Sequence, residues 1–271
     1  MQVSDITQLG VFDTETTGVD YEEVRIVTAY FGILELDGTL SRTHSWLINP
    51  GVDIPEGASN IHGISNDVAQ SDGVDPVGAI GEIVDVIAGA VNAGVPIVAY
   101  NGRYDLTLLD REARRHLGYS LTSQFTAPLF AIDPFVIDKQ VDKYRRGKRK
   151  LADVTAHYGV ALGDDAHNAE ADAVATGLVA RALLGRPGVP SDLAELHLAQ
   201  VVWAREQAVS LQDYFRNGGG RPDAVVEAEW PIVTYVPPAV PDESADRATE
   251  VPRAISVVSS EPLAEAERAF T

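Results

Sequence analysis

The chain has 271 residues, no cysteine, and 40 acidic against 21 basic residues, a formal net charge of −19. That length suits one good-sized domain with extensions, and the lack of cysteine excludes disulfides, thiolate zinc sites and a cysteine nucleophile. The charge argues against generic affinity for polyanions. With no basic, apolar leader and no run approaching eighteen apolar residues, a soluble, cytoplasmic protein without a membrane span is expected.

Leu9 to Phe12 reads as a short buried strand, with Asp13 and Glu15 leaving its end inside Phe12-Asp13-Thr14-Glu15-Thr16-Thr17-Gly18. Residues i and i+2 of extended chain point the same way, so two carboxylates stand side by side with Cα atoms roughly 6.5–7 Å apart. Like charges that close need a cation between them or a proton on one of them, and a hard divalent ion with oxygen ligands meets that need. A polar turn is the other reading of this stretch alone, since Thr, Asp and Gly suit turns.

Val24 to Leu36 is long and β-rich, Asp37-Gly38 signals a hairpin, and Arg42 to Ile48 pairs back, giving a three-stranded antiparallel meander. A loop is expected from Pro55 to Asp75, carrying Ile61-His62-Gly63-Ile64. Val77 to Val91 has helical periodicity through Val77, Ile80, Val84, Ile87, Ala88 and Val91. Val95 to Tyr100 is a continuous apolar run suited to a buried parallel strand. Asn101-Gly102 leads into a helix from Arg103 to His116 with Asp105 in its first turn, where an acid also suits the helix dipole.

Leu129 to Ile132 is a fifth strand, Leu151 to Tyr158 a short helix, and Asn168 to Leu184 a longer one containing Asp172. His167 stands five residues before Asp172, about 140° apart on a helix. The two converge only if His167 lies on the preceding loop and turns back; a polar cap is the alternative. After the linker Gly185 to Pro190, Ser191 to Asn217 reads as a helix capped by Ser191. From Arg221 the chain turns acidic and Pro-rich, and disorder is expected after about Pro238.

The expected fold is therefore a mixed α/β sheet in which the first, fourth and fifth strands are neighbours. Asp13, Glu15, Asp105 and Asp172 all sit at element ends, where sites form. Three stretches in this order resemble the DEDDh 3′–5′ exonucleases of the proofreading, DnaQ-like type. They are Phe12 to Gly18, Asn101-Gly102-Arg103-Tyr104-Asp105-Leu106-Thr107-Leu108-Leu109, and His167-Asn168-Ala169-Glu170-Ala171-Asp172-Ala173. The loop Ile61-His62-Gly63-Ile64 also matches, and the resemblance covers residues 7–184. Gly102 departs from it, since many members have Ala there.

The resemblance implies an RNase H-like, mixed five-stranded α/β sheet flanked by helices: three antiparallel strands plus two parallel ones. It places the exonuclease domain at residues 1–187; the C-terminal region departs from the resemblance, and its patterning and composition give a helical extension at 188–230 and an acidic, Pro-containing, disordered tail at 231–271. Further, the resemblance implies two divalent cations, Mg²⁺ or Mn²⁺, with Asp13 touching both, Glu15 and Asp172 completing one site and Asp105 holding the other. His167 is then the general base, at a near-neutral pKa suited to that task. Two such cations about 3.5–4 Å apart stabilise the attacking and leaving oxygens of a phosphodiester hydrolysis. By the same resemblance Thr16, His62 and Asn101 meet the substrate.

Seven basic residues fall within positions 139–150, including every lysine of the chain. Beside a nuclease site, Arg145, Arg146, Lys148 and Arg149 become the expected phosphate contacts; a solvated loop is the alternative. The implied activity is release of nucleotides from single-stranded or frayed DNA 3′ ends, with a DNA polymerase subunit as an implied partner. RNA 3′-end trimming and a non-catalytic nucleic-acid or polymerase-binding module are the alternatives. Telling DNA from RNA needs recognition of the 2′-hydroxyl, which no residue here reveals.

Overall fold

Five strands form one sheet in the order β3-β2-β1-β4-β5 in a computed structural model that describes residues 1–160 and 169–237. They are β1 (Leu9–Thr16), β2 (Ile26–Leu34), β3 (Leu40–Leu47), β4 (Ile97–Val98) and β5 (Ala131–Ile132). β1 pairs antiparallel with β2 and β2 with β3, while β4 runs parallel to β1 and β5 parallel to β4. This is the mixed five-stranded arrangement expected from the sequence. The first strand is longer than expected. Pairing with β2 holds it extended through Glu15 opposite Thr28, so Asp13 and Glu15 stand within the strand rather than beyond its end.

Helices cover both faces. α1 (Glu56–His62) and α2 (Asn66–Asp72) occupy what reads in the sequence as a loop. They are short, bury few apolar residues and so lack a periodic signal, although Ser65 caps α2 by accepting from Val68 N–H. α3 (Pro76–Asn92) begins under an Asp75 cap and buries Ile80, Ile83, Val84, Ile87 and Val91, while Val77, expected on that face, is exposed. α4 (Arg103–Leu117) lies beside α3. Their side of the sheet carries Phe12, Phe31, Leu106 and Leu109.

Then come α5 (Pro134–Val141), absent from the sequence reading, α6 (Leu151–Tyr158), α7 (Ala169–Leu183) and α8 (Leu193–Asn217). α7 lies on β1 and β2 over the second cluster, which holds Leu9, Val11, Leu34, Val98, Val179 and Leu183. Burying each such side chain contributes about 1.5–3 kcal/mol. Gly177 sets how closely α7 approaches: a Cβ there would lie 2.5 Å from Val11 Cγ1 and 2.7 Å from Leu34 Cδ2. Alanine would gain about 1 kcal/mol of helix propensity, but overpacking costs about 1–3 kcal/mol, so glycine is the better residue here.

α8 starts under Asp192 rather than Ser191, and Asp192 also pairs with the N-terminal ammonium at 3.2 Å. Leu193, Leu196, Ala204, Ala208 and Phe215 are buried, as the sequence pattern requires. The chain beyond α8 folds back onto α4. Val233 N–H donates to Thr107 Oγ1 at 3.0 Å, Trp230 and Val233 are buried, and Arg111 and Arg114 lie over the Tyr235 ring. Residues 231–237, expected as the start of a loose tail, thus pack against the domain. The expected disorder after Pro238 lies outside the described residues. No helix among the described residues is long and apolar enough to cross a membrane.

Candidate active site

Alternation along β1 puts Val11, Asp13 and Glu15 on one face and Phe12 and Thr14 on the other. Val11 lies under α7, and α7 carries Asp172 in its first turn. Carboxylate oxygens of Asp13, Glu15 and Asp172 all lie within 4.8 Å of one another. These three come from segments about 160 residues apart, and the close approach permitted by Gly177 brings them together.

Asp105 reaches the same place from α4. It is buried and accepts a hydrogen bond from the Thr14 hydroxyl at 2.6 Å, so the other face of β1 holds it. Burial raises the Asp13 carboxyl well above the usual range, and the charges of Asp105, Glu15 and Asp172 raise it further. Burial and the same neighbours push Glu15 up to about 7. Asp105 is pushed up to about 7 by burial, against the opposing pull of the Thr14 bond. Four carboxylates that penalise one another's charge are what a hard cation with oxygen ligands relieves. The donor set is all oxygen, which suits Mg²⁺ or Mn²⁺ over zinc.

Around this group the expected substrate residues fall as follows. Thr16 ends β1, and its hydroxyl contacts the Gly18 carbonyl at 2.7 Å and the Tyr104 hydroxyl at 2.8 Å. Tyr104 also donates to Gly18 at 2.6 Å and is buried, so it ties down the turn after β1. His62, half-buried at the end of α1, accepts from Ile64 N–H on Nδ1 at 3.1 Å, which leaves the proton on Nε2. That nitrogen is buried near the Thr16 backbone without a well-formed hydrogen bond, and burial lowers the His62 pKa. His62 and Thr16 therefore adjoin. His167, the expected base, lies outside the described residues.

Asn101 stands at φ +55°, a left-handed conformation that asparagine tolerates. It is held there by a residue the sequence reading passed over. Asp133 accepts from Asn101 N–H at 2.9 Å, Gly102 N–H at 3.0 Å and Phe135 N–H at 3.0 Å. Its own N–H donates to Gln200 on α8 at 2.7 Å, and Trp230 Nε1 approaches it at 3.4 Å. Burial raises its pKa to about 6. Asp133 thus joins β5, α5, α8 and the turn that starts α4, the helix that carries Asp105. Asp133-Pro134 was a legible signal, an N-cap acid followed by proline at the first helical position.

Gly102 is required by its surroundings in this fold. A Cβ there would lie 2.7 Å from Ala99 Cβ and 3.0 Å from the Ala99 carbonyl oxygen. The alanine common in the resembled family does not fit this turn without a shift.

The basic run divides. Asp138 on α5 is fully buried and accepts from Arg145 at 2.6 Å, Arg149 at 2.5 Å and the Tyr158 hydroxyl at 2.7 Å. Arg149 is itself buried and also donates to the Asp142 carbonyl. Expected as phosphate contacts, Arg145 and Arg149 instead neutralise a buried acid, where removing one partner would leave an uncompensated charge. Arg146 and Lys148 remain exposed.

A family model described as Exonuclease, of the RNase_T type, matches residues 11–180. The chain belongs to this exonuclease family. The matched span contains every described carboxylate of the site. Among solved structures, exonuclease I is similar at 19% identity with a TM-score of 0.56, over 76% of this chain and 46% of that one. The same values hold for E. coli exonuclease I in complex with a dA16 oligonucleotide. Exonuclease I from Methylocaldum szegediense gives 20% identity and a TM-score of 0.56 over 76% and 45%. These likenesses show the exonuclease, RNase H-like fold, and this chain spans less than half the length of those proteins. No curated protein matches by sequence.

Proposed function

We propose that this exonuclease-family domain is a metal-dependent 3′–5′ exonuclease that hydrolyses the terminal phosphodiester bond of DNA, single-stranded or frayed, releasing nucleoside monophosphates. The observation that carries this reading is the gathering of Asp13, Glu15 and Asp172 within 4.8 Å on a buried strand, with Asp105 raising the Asp13 pKa further. Asp13, Glu15 and Asp172 would hold one divalent cation, and Asp13 with Asp105 a second. When bound, these cations supply charge neutralisation at the attacking and leaving oxygens.

The chain's own residues do the rest. Thr14 holds Asp105 through its hydroxyl, and Asp133 holds the turn that starts α4. Tyr104 and Thr16 fix the turn against which the terminal nucleotide rests, with His62 beside it. His167, two residues ahead of α7, takes the proton from the attacking water. Arg146 and Lys148 meet the backbone phosphates behind the end. Within residues 193–237, Leu193, Leu196, Phe215, Trp230 and Val233 serve the domain's own packing.

The test is a labelled single strand with Mg²⁺, as DNA and as RNA of the same sequence. A 5′ label should remain on a ladder shortening one nucleotide at a time, while a 3′ label appears at once as mononucleotide. Early release of the 5′ label, or internal cuts, would contradict the polarity. Faster loss of the RNA would move the substrate to RNA trimming.

A further inference from the structure

Between α5 and α6 the chain runs from Asp142 to Lys150 without helix or strand. Its exposed side chains are Lys143, Tyr144, Arg146, Lys148 and Lys150. Within residues 139–150 the seven basic residues meet a single acid, Asp142, in a chain of net charge −19. Tyr144 is 88% exposed, the highest value among the large apolar side chains described. A single exposed apolar residue is ordinary, but this one is aromatic and ringed by cations.

Two further features set this loop apart from a solvated turn. First, it is braced from beneath: Arg145 and Arg149 turn inward to the buried Asp138, and Arg145 and His157 approach Asp142 at 3.5 and 3.4 Å. Burying such a group of charges is costly, and it fixes which side chains face out. Second, its root is tied to the site. The Tyr100 hydroxyl donates to the Arg149 carbonyl at 2.5 Å. Tyr100 follows β4, whose Val98 lies opposite Val11, two residues before Asp13 on the neighbouring strand. Tyr144 stands five positions before that anchor, a reach of at most about 17 Å.

We infer that Tyr144 is a stacking platform for a base a few nucleotides behind the 3′ end of a single strand, with Arg146 and Lys148 on the flanking phosphates. This rests on the proposed exonuclease function and adds the substrate's strandedness to it. Every base presents a π-face, so stacking of this kind tolerates sequence. A duplex keeps its base faces stacked internally and cannot use the platform. The cations overcome, at this one place, the long-range repulsion of an acidic protein.

The experiment measures binding without hydrolysis, by fluorescence anisotropy of a labelled oligothymidine and of a blunt duplex with the full chain in EDTA. Tyr144→Ala should weaken single-strand binding about 5- to 100-fold, with duplex binding and melting temperature unchanged. Tyr144→Trp should restore it. Replacing Arg146 and Lys148 by Gln should reduce the slope of log Kd against log salt, whereas Tyr144→Ala leaves that slope unchanged. Binding within twofold of the parent in Tyr144→Ala, equal loss on both substrates, no rescue by Trp, or no single-strand binding by the parent would each overturn the inference. Hydrolysis by the parent with Mg²⁺ is scored separately, so an inactive but binding protein would count against the function and not against the platform.

Discussion

Asp13→Asn and Asp172→Asn should each abolish metal-dependent release of nucleotides, by roughly 10³-fold or more, since a bound cation supplies several kcal/mol of transition-state stabilisation. The reason lies in the geometry. Asp13 sits at the centre of the group, on a strand paired on both sides, with Glu15 and Asp172 within 4.8 Å. Asparagine keeps the shape and removes the charge, so a divalent ion loses a ligand that no neighbour can replace. The fold should not suffer. Asp13 carries a pKa raised by burial and by three other carboxylates, so removing its charge relieves repulsion, and the metal-free variant should melt at or above the parent temperature. The measurement is the initial rate on a 3′-labelled strand with the melting curve beside it. Full activity in either variant would overturn the assignment.

His167→Ala should lose roughly 10²–10⁴-fold in kcat while metal binding stays as in the parent, the usual range for removing a general base. The expectation comes from the motif, in which His167 stands two residues ahead of α7 and five ahead of Asp172, itself in the first turn of that helix. An imidazole titrates near 6.5, so kcat for the parent should rise with pH through that region. With metal saturating at every pH, so that the titration of Glu15 and Asp105 does not enter, the variant should lose this limb while the metal requirement persists. An unchanged rate, or an unchanged pH limb, would place the base elsewhere.

Much of this site was legible in the sequence because its parts lie on strongly patterned elements. The apolar run into Phe12, the run from Val95 to Tyr100 and the helices bearing Asp105 and Asp172 each announce themselves by period. Charge roles were less legible. The run from 139 to 150 shows seven cations, but whether each faces a phosphate or a buried acid depends on Asp138, which looks like any other helical aspartate until α5 is placed. Asp133 was only half legible: its cap on Phe135 N–H is local and announced by the following proline, but its bonds to Asn101 and Gly102 N–H reach back more than thirty residues and carry no sequence signal. Gly102 resisted a sequence reading too, since only the position of Ala99 shows that a methyl group does not fit. The C-terminal strap was obscured by composition, its acids and prolines hiding Trp230 and Val233.

Thermal unfolding with and without Mn²⁺ across pH shows whether these carboxylates form a divalent-cation site. Glu15 and Asp105 have folded-state pKa values of about 7, above their unfolded values. The folded protein therefore holds more protons than the unfolded one between about pH 4 and 7, and the metal-free melting temperature should fall as pH rises through that window. Mn²⁺ at about 100 times its Kd contributes about 2.7 kcal/mol, roughly 5 °C or more for a chain of this size. The predicted result is a Mn²⁺-induced rise that is largest near pH 7.5, small near pH 5 where the carboxyls hold protons, and absent in Asp13→Asn. A rise of equal size in Asp13→Asn, or none in the parent at pH 7.5, would contradict a divalent-cation site.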